Sequence, residues 1–479
     1  MTNLKDLIAR YPIVYETLTT AGNLGAGKGL EIYVVGGVVR DILIGRPINE
    51  IDLMVIGDGI EFARDLATEL GVHKIVPFKK FGTARIPYRR IPVEVASART
   101  ETYQPDSRKP AEVRYTDLEG DLIRRDFTIN AMAIDLSPEH FGDLHDPYQG
   151  KHELEQRLLI TPLDPDETFS EDPLRMLRGA YFAAQLGCVL DDSCLSAMRR
   201  QAARISIVSP ERITAEIIKI LKAPEPSIGL IILQDVGLME FVFPEIAALH
   251  GMQQPPEWHH KDVFYHTLQV VDNVAQLTDK MELRFAALVH DIAKPVTRKI
   301  DPSQVVTFHG HDELGGRMLY KIARRMKLSN ELRDYLQKLT RLHLRPIALA
   351  QKGVTDSAVR RLMLAAGDDI DDLLTLCRAD ITTKNPHLVK RYMGNFSRVE
   401  LLMQNVVERD AMRAFQSPVR GAEIMDIYGL KEGKLIGKIK KAIEAAILNG
   451  EIENTHEAAR SYLDKIISEY QAEINNLKN

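Results

Sequence analysis

The chain has 479 residues, 45% of them apolar and 27% charged, which is ordinary globular usage and more than one core accommodates. Its net charge of −5 neither announces nor excludes a nucleic-acid partner, because a local basic stripe decides that. Three cysteines, Cys188, Cys194 and Cys377, exclude a disulfide framework, and no apolar run approaches the ~20 residues needed to span a bilayer. A cytoplasmic protein without a membrane partner is expected.

In chain order, residues 1–30 read as a helix followed by a Gly-rich turn from Ala21 to Gly29. Glu31–Val35 reads as a strand that ends on the pair Gly36-Gly37. A short helix, a strand over Ile51–Ile56, and β-rich runs over Thr83–Ile86 and Val93–Ala98 follow. Residues 100–120, rich in Pro, Asp, Lys and Arg, read as a mobile loop, with Arg99–Lys109 a candidate gate over a neighbouring site. From Asp166 onward helical spacing dominates, as in Leu174-Met176-Leu177-Ala180 and Ile213-Ile217-Ile220-Leu221. Breaks near 222–226 and 253–256 divide this part. The histidines are uneven: nine of 14 lie between His250 and His387, which marks that stretch as a domain with its own chemistry.

The first chemical pattern is the run from Gly36 to Asp41. Two glycines between a strand and a helix let backbone N–H groups approach a phosphate, and Arg40 adds a planar cationic fork. Glu50 and Asp52 follow at the head of the next strand, where alternation puts them on one face. Adjacent carboxylates repel unless a divalent cation offsets them, and hard cations such as Mg²⁺ select oxygen ligands. Glu94, on a later strand, offers a third acid. Any one acid at a strand end is more often a solvated residue; the ordered set of three behind a glycine pair is much harder to dismiss.

These motifs resemble those of the class II tRNA nucleotidyltransferases (CCA-adding enzymes) and bacterial poly(A) polymerases. The resemblance rests on Gly36-Gly37-Val38-Val39-Arg40-Asp41, the pair Glu50 and Asp52, and Arg124-Arg125-Asp126-Phe127-Thr128-Ile129-Asn130-Ala131. Glu171-Asp172-Pro173-Leu174-Arg175-Met176-Leu177-Arg178 and Ser209-Pro210-Glu211-Arg212-Ile213 extend it through residues 31–220. It implies a two-metal site of Glu50, Asp52 and Glu94. It also implies a nucleotide pocket of Gly36, Gly37, Arg40, Arg125, Asp172, Arg175 and Arg178. Two positions depart from the family pattern: Glu50 replaces its usual Asp, and Tyr181 stands where a further Arg is frequent.

Base choice has a physical reading. The i,i+3 spacing of Asp172 and Arg175 is expected to put them on one helix face. A carboxylate only accepts hydrogen bonds and a guanidinium only donates. Cytosine and adenine both present an amino donor beside a ring-nitrogen acceptor, whereas uracil and guanine present the reverse. The pair therefore suits C and A, and each mismatched buried group costs about 1–3 kcal/mol. The plainer reading is a surface ion pair of little worth.

The second pattern is His266, His290-Asp291 and Asp380, with His309, His311 and His343 between them. Imidazole and carboxylate together suit transition metals or Mg²⁺. The order resembles the HD phosphohydrolase superfamily. That implies one ion on His266, His290, Asp291 and Asp380, with His309, His311 and His343 holding a second ion or contacting phosphate. His259 and His260, beside Trp258, read as loop residues. Lys434, Lys438, Lys440 and Lys441 read as an amphipathic helix or an RNA contact.

The expected fold is an α/β nucleotidyltransferase head with a mixed sheet and helices (1–148). Mostly α-helical neck (149–248), HD (249–415) and tail (416–479) domains follow it. The expected activity is transfer of CMP and AMP from CTP and ATP to the tRNA 3′ end. Mg²⁺ is expected in the head, and Mg²⁺ or a divalent transition metal in the HD domain. Poly(A) polymerase and partial CC-only or A-only addition stay open within the class. Outside it stand an HD metal-dependent phosphohydrolase or 2′,3′-cyclic phosphodiesterase with a weakened head, and a catalytically silent RNA-binding protein.

Overall fold

The computed structural model describes residues 2–79, 82–104, 107–252, 262–300, 306–349, 355–383, 385–414, 417–430, 433–448 and 451–470; His259, His260 and the break at 253–256 lie outside them. The chain divides into two compact units, one of residues 1–348 and 366–394, the other of 349–365 and 395–479.

The first unit begins with a seven-stranded mixed sheet. Its strands are β1 (Glu31–Val35), β2 (Ile51–Ile56), β3 (Val76–Phe78), β4 (Thr83–Ile86), β5 (Val93–Ser97), β8 (Ala133–Asp135) and β9 (Leu144–His145), ordered β3-β4-β5-β2-β1-β8-β9. β1 runs antiparallel to β2, and β2 parallel to β5. One face of β2 sends Ile51, Leu53 and Val55 into the main core with Val34, Val93 and Val95. The other face carries Asp52 and, beyond it, Met54, which packs with Tyr33, Val35, Ala98, Leu122 and Ala133. That second face holds the smaller apolar cluster, and Asp52 stands at its end.

Two segments differ from their sequence reading. Residues 100–120 are not a loop: β6 (Arg99–Gln104) and β7 (Ser107–Tyr115) form an antiparallel ribbon, followed by the Leu118–Ile123 helix. Apolar alternation is confined to Ala111, Val113 and Tyr115, and the Pro- and charge-rich run before them hid the pairing. The Gly-rich stretch from Ala21 is no turn either. The Pro12–Lys28 helix runs through Gly22, Gly25 and Gly27 and stops only at Gly29, whose φ of 67° caps it. A Cβ on Gly22 would lie 1.8 Å from the Leu136 carbonyl oxygen, and one on Gly25 would lie 2.4 Å from Ile32 Cγ1. Those two glycines let the helix approach the sheet.

Helices follow. Leu174–Leu186 packs against Pro210–Lys222 and Pro226–Asp235. Beyond them lie Val263–Leu277, Met281–Val289, His311–Arg325, Asn330–Leu342 and Ile370–Ala379. Buried Arg284 ties the two groups together. It donates to the Leu221 and Ala223 carbonyls at the end of one helix and to Ala275 and Thr278 at the end of another, at 3.0–3.2 Å. Carbonyls at helix C-termini lack intrahelical partners, so one guanidinium serves two such ends.

The second unit has its own core of Val419, Ile424, Leu435, Ile439, Ile443 and Leu463. Its Lys434–Leu448 helix is amphipathic as its spacing predicts, with Ile436, Ile439 and Ile443 inward and Lys434 and Lys441 exposed. Among the described residues no helix is long and apolar enough to cross a membrane.

Gly→Ala inside a helix normally stabilises by about 1 kcal/mol. Here Gly22→Ala is expected to destabilise by about 2 kcal/mol or more, because its Cβ meets backbone. Gly27→Ala, whose Cβ meets nothing within 4 Å, is expected to stabilise by about 0.5 kcal/mol. Urea denaturation of the two variants checks the opposite signs.

Candidate functional site: a carboxylate centre and a histidine–aspartate centre

The head site grows from sheet register. Asp52 on β2 pairs directly with Glu94 on the parallel strand β5. Glu50 precedes β2 and is exposed, so it reaches the same edge from a loop. The β1–β2 register pairs Val34 with Leu53, which brings the Gly36-Gly37 turn level with the acidic end of β2. The three acids thus share one neighbourhood, as expected. Burial and then Glu50 push the Asp52 carboxyl up to about 7; Glu94 adds to the push, and Arg125 and Arg178 oppose it. A carboxylate held against its own ionisation by other carboxylates is a site that a divalent cation relieves. The oxygen-only donor set fits Mg²⁺.

Gly36 has φ 75° and caps the Gly37–Leu43 helix. A Cβ there would meet Arg125 Nη1 at 2.6 Å, so glycine is required both by conformation and by the guanidinium beside it. Arg125 is anchored by Asp121, whose Oδ2 accepts from its Nε at 3.2 Å and its Nη2 at 2.8 Å. Arg40 donates from Nη1 to Asn130 Oδ1 at 2.6 Å. Asn130 in turn donates to Asp126 Oδ1 at 3.0 Å, and Asp126 Oδ2 accepts from Arg178 Nε at 2.5 Å. Arg40 and Arg178 both lie 5.2 Å from the centroid of the Phe182 ring. Burial opposes ionisation of Asp126, yet Arg178 and the Asn130 amide outweigh it and hold the carboxyl below its usual range.

Sequence reasoning nominated Gly36, Gly37, Arg40, Arg125 and Arg178, and these gather beside the acids. It passed over Asp121, Asp126, Asn130 and Phe182, which orient them. The signal lay in the quoted motifs: Asp126 and Asn130 stand four apart, as do Arg178 and Phe182. Tyr181 has Lys219 Nζ 6.0 Å from its ring centroid, so a cation stands near the position where an arginine is absent.

The base-reading pair needs correction. Asp172 and Arg175 do not share a helix face, because Asp172 closes the Pro165–Glu171 helix and the next begins at Leu174. The cause is Pro173: a residue before proline is excluded from the helical region, and Asp172 sits at φ −134°, ψ 99°. Its Oδ1 accepts from the Leu174 amide at 3.1 Å, and its Oδ2 lies 3.5 Å from Arg212 Nη2. Arg175 is buried and donates to the Thr168 and Arg124 carbonyls at 3.2 and 2.5 Å and to Glu171 at 3.1 Å.

The second centre is assembled from helix ends. His266, His290 and Asp380 form one group, and Asp291, His311 and His343 another, with the ligand atoms in each within 4.8 Å of one another. Asp291 faces both: Oδ2 lies 3.7 Å from His266 and 3.2 Å from His290, while Oδ1 lies 3.3 Å from His311 and 3.9 Å from His343. His290, His311 and His343 each point Nδ1 at the carbonyl three residues back, at 2.7–2.8 Å. That hydrogen bond holds a proton on Nδ1 and turns Nε2 inward, where it offers a lone pair to an ion once any proton on it is displaced. Among the described residues buried His290 Nε2 makes no well-aligned hydrogen bond, although Asp291 Oδ2 lies 3.2 Å away, which fits an atom that meets an ion. Burial works against the His290 imidazolium, but Asp291 and Asp380 outweigh it and raise it to about 10. Burial, then charged His290, lowers His343 to about 4. His309 is a correction: it is exposed and belongs to neither group, because Gly310 turns the chain so that His311 alone points inward. Lys294, 2.5 Å from Asp291, is an addition.

Asp126→Asn is expected to cost about 2–3 kcal/mol, less than a fully buried pair because Arg178 is 34% exposed. Asp126 has a folded pKa below its ordinary 3.8, so the stability it contributes is complete above that value and lost as pH falls through the folded one. Wild-type and variant denaturation curves are therefore expected to converge under acid. Divalent transition metal at 100 times its Kd is expected to stabilise the fold by about 2.7 kcal/mol. A calorimetric scan in chelator, and one of Asp291→Ala, would both lack that gain.

Comparison with known proteins agrees with this geometry. Residues 32–160 match the family described as poly A polymerase head domain, 189–249 the probable RNA- and SrmB-binding site of polymerase A, and 263–385 the HD domain. The multifunctional CCA protein of Vibrio vulnificus strain YJ016 is 32% identical over 432 residues, covering 88% of this chain and 100% of the relative. That of Tolumonas auensis is 34% identical over 323 residues, covering 66% of this chain and 74% of the relative. A crystal structure of a tRNA nucleotidyltransferase complexed with a primer tRNA and an incoming ATP analog is 26% identical with a TM-score of 0.56, covering 80% of this chain and 99% of that one. The Thermotoga maritima CCA-adding enzyme complexed with tRNA, 19% identical at TM-score 0.60 over 97% of this chain and 99% of that one, shares the fold. The acidic strand pair behind a glycine turn, the arginine-lined neck and the following histidine–aspartate centre are thus those of a nucleotidyltransferase, and the chain belongs to the CCA-adding enzyme and poly(A) polymerase family with an HD domain.

Proposed function

We propose that this chain adds CMP and AMP from CTP and ATP to the 3′ end of tRNA, releasing pyrophosphate. The observation that carries the reading is the Asp52–Glu94 register pair beside Glu50, facing a glycine turn flanked by Arg40, Arg125 and Arg178. Mg²⁺ held by Glu50, Asp52 and Glu94 would supply activation of the RNA 3′-hydroxyl and charge relief at the leaving pyrophosphate. Gly36 and Gly37 let the backbone approach the triphosphate, and Arg40, Arg125 and Arg178 neutralise it. Their anchors, Asn130, Asp121 and Asp126, hold those guanidinium groups in place before substrate arrives. Base choice falls to Asp172 and Arg175, so the Arg175 guanidinium trades carbonyl partners for the base edge. The division of labour follows a head of 1–148, a neck of 149–248, an HD domain of 249–415 and a tail of 416–479. The cytoplasm is the compartment we assign, in keeping with three buried, unbridged cysteines.

We also propose that the histidine–aspartate centre hydrolyses phosphomonoesters or 2′,3′-cyclic phosphodiesters with a divalent metal. Asp291, placed between two ligand groups with Lys294 against it, favours this second reading. Lys294 supplies a positive charge beside the substrate phosphate.

Incubation with tRNA lacking its terminal nucleotides, Mg²⁺ and each labelled nucleotide separately tests both readings. C and A are expected to be incorporated and U and G refused, and Asp52→Asn is expected to lower incorporation about 100-fold or more. His290→Ala is expected to leave incorporation intact while ending hydrolysis of 2′,3′-cyclic CMP to the monophosphate. No incorporation with any nucleotide, alongside hydrolysis of the cyclic substrate, overturns the transferase reading.

A further inference from the structure

The helices that carry His311 and His343 also carry a charge pattern that neither catalytic reading uses. Between His311 and Arg345 there are nine Lys and Arg against four Asp and Glu, in a chain whose net charge is −5. Arg317, Lys321 and Arg324 stand at i, i+4 and i+7 on the His311–Arg325 helix, so they share one face. All three are exposed, and none has a hydrogen-bond or ion-pair partner among the described residues. On the same face Tyr320 is 49% exposed, and Arg333 from the neighbouring helix lies over its ring at 5.5 Å. Two of the four acids are already engaged: Glu313 lies 3.7 Å from Arg341, and Asp334 pairs with Arg333.

We propose that this face is a track for a single-stranded ribose-phosphate chain, leading its end toward the histidine–aspartate centre. Cations four and three residues apart on a helix are separated by about 6 and 4.5 Å along its axis, which long, flexible side chains can match to the phosphates of an extended strand. A tyrosine with a guanidinium over its ring is a platform on which a base stacks without regard to sequence. A solvated basic face alone would not need the aromatic. The track also has a direction: His311 opens one helix and His343 closes its antiparallel neighbour, so both ligands lie at one end of the stripe. The inference rests on the reading that this protein handles RNA and that its second centre acts on phosphoesters. RNA is favoured over an anionic membrane by that end point and by the stacking pair.

The test uses the full chain and a labelled 12-nucleotide single-stranded RNA, followed by fluorescence anisotropy from 50 to 200 mM salt. R317E/K321E/R324E is expected to weaken binding at least tenfold and to reduce the log–log salt slope by about 2, the loss of three single-strand phosphate contacts. Tyr320→Ala is expected to weaken binding about tenfold with the slope unchanged. An unaltered melting temperature shows that each variant is folded. RNA affinity and salt slope unchanged in both variants overturn the proposal. So does retained RNA binding in a triple variant that has lost binding to phosphatidylserine vesicles, an outcome that assigns the face to lipid. The transferase reading is separated by tRNA labelling in the wild-type protein. A chain that labels tRNA but shows no effect of the variants loses only the track, and one that binds through the stripe but labels nothing loses only the transferase.

Discussion

Asp126 is the buried charge on which the nucleotide side of this molecule depends. One of its oxygens takes the Asn130 amide, which positions Arg40 beside the glycine turn; the other takes Arg178 from the helix beyond the head. A carboxylate removed from water is costly unless it is fully paired, so the residues that satisfy it are fixed as a group. Phe182 completes the arrangement by presenting its ring to both guanidinium groups, which keeps two like charges close without direct contact. Arginine placement thus follows from the need to satisfy a buried acid.

The two centres solve the same electrostatic difficulty with different materials. In the head, three carboxylates gather at one end of the interior strands β2 and β5, and strand register does the placing; the set is all oxygen and suits a hard, strongly hydrated cation. In the helical part, imidazoles from helix ends surround two carboxylates, and carbonyls three residues back set the tautomers. There the acids and histidines neutralise one another in the absence of metal. A softer ion then competes with protons for the same nitrogen atoms.

Much of this was legible in the sequence wherever one residue type had one geometric consequence. Alternation along β2 placed Asp52, and a strand followed by two glycines placed the turn. The spaced set His266, His290-Asp291 and Asp380 gave most of one metal group, although Asp291 proved to face both. Illegible features were those in which a residue serves something distant. Gly22 and Gly25 read as turn residues because sequence alone does not reveal the Leu136 carbonyl and Ile32 side chain that require them. The β6–β7 ribbon shows apolar alternation only over Ala111, Val113 and Tyr115, too short a run to betray a pair of strands. His309 and His311 looked equivalent until Gly310, at φ 77°, sent one inward and left the other in water.

Pro173 carries a consequence of another kind. The backbone of Asp172 is set by the ring that follows it, so the position of an acceptor is specified by a neighbour that has no side-chain polar atom. On the base choice proposed for Asp172 and Arg175, information about which base is admitted would be stored partly in a residue that has no donor or acceptor of its own to offer. A recognition code written as a list of donors and acceptors would omit it. A relative that retained both Asp172 and Arg175 but lost the proline would keep the alphabet of that code and lose its spelling.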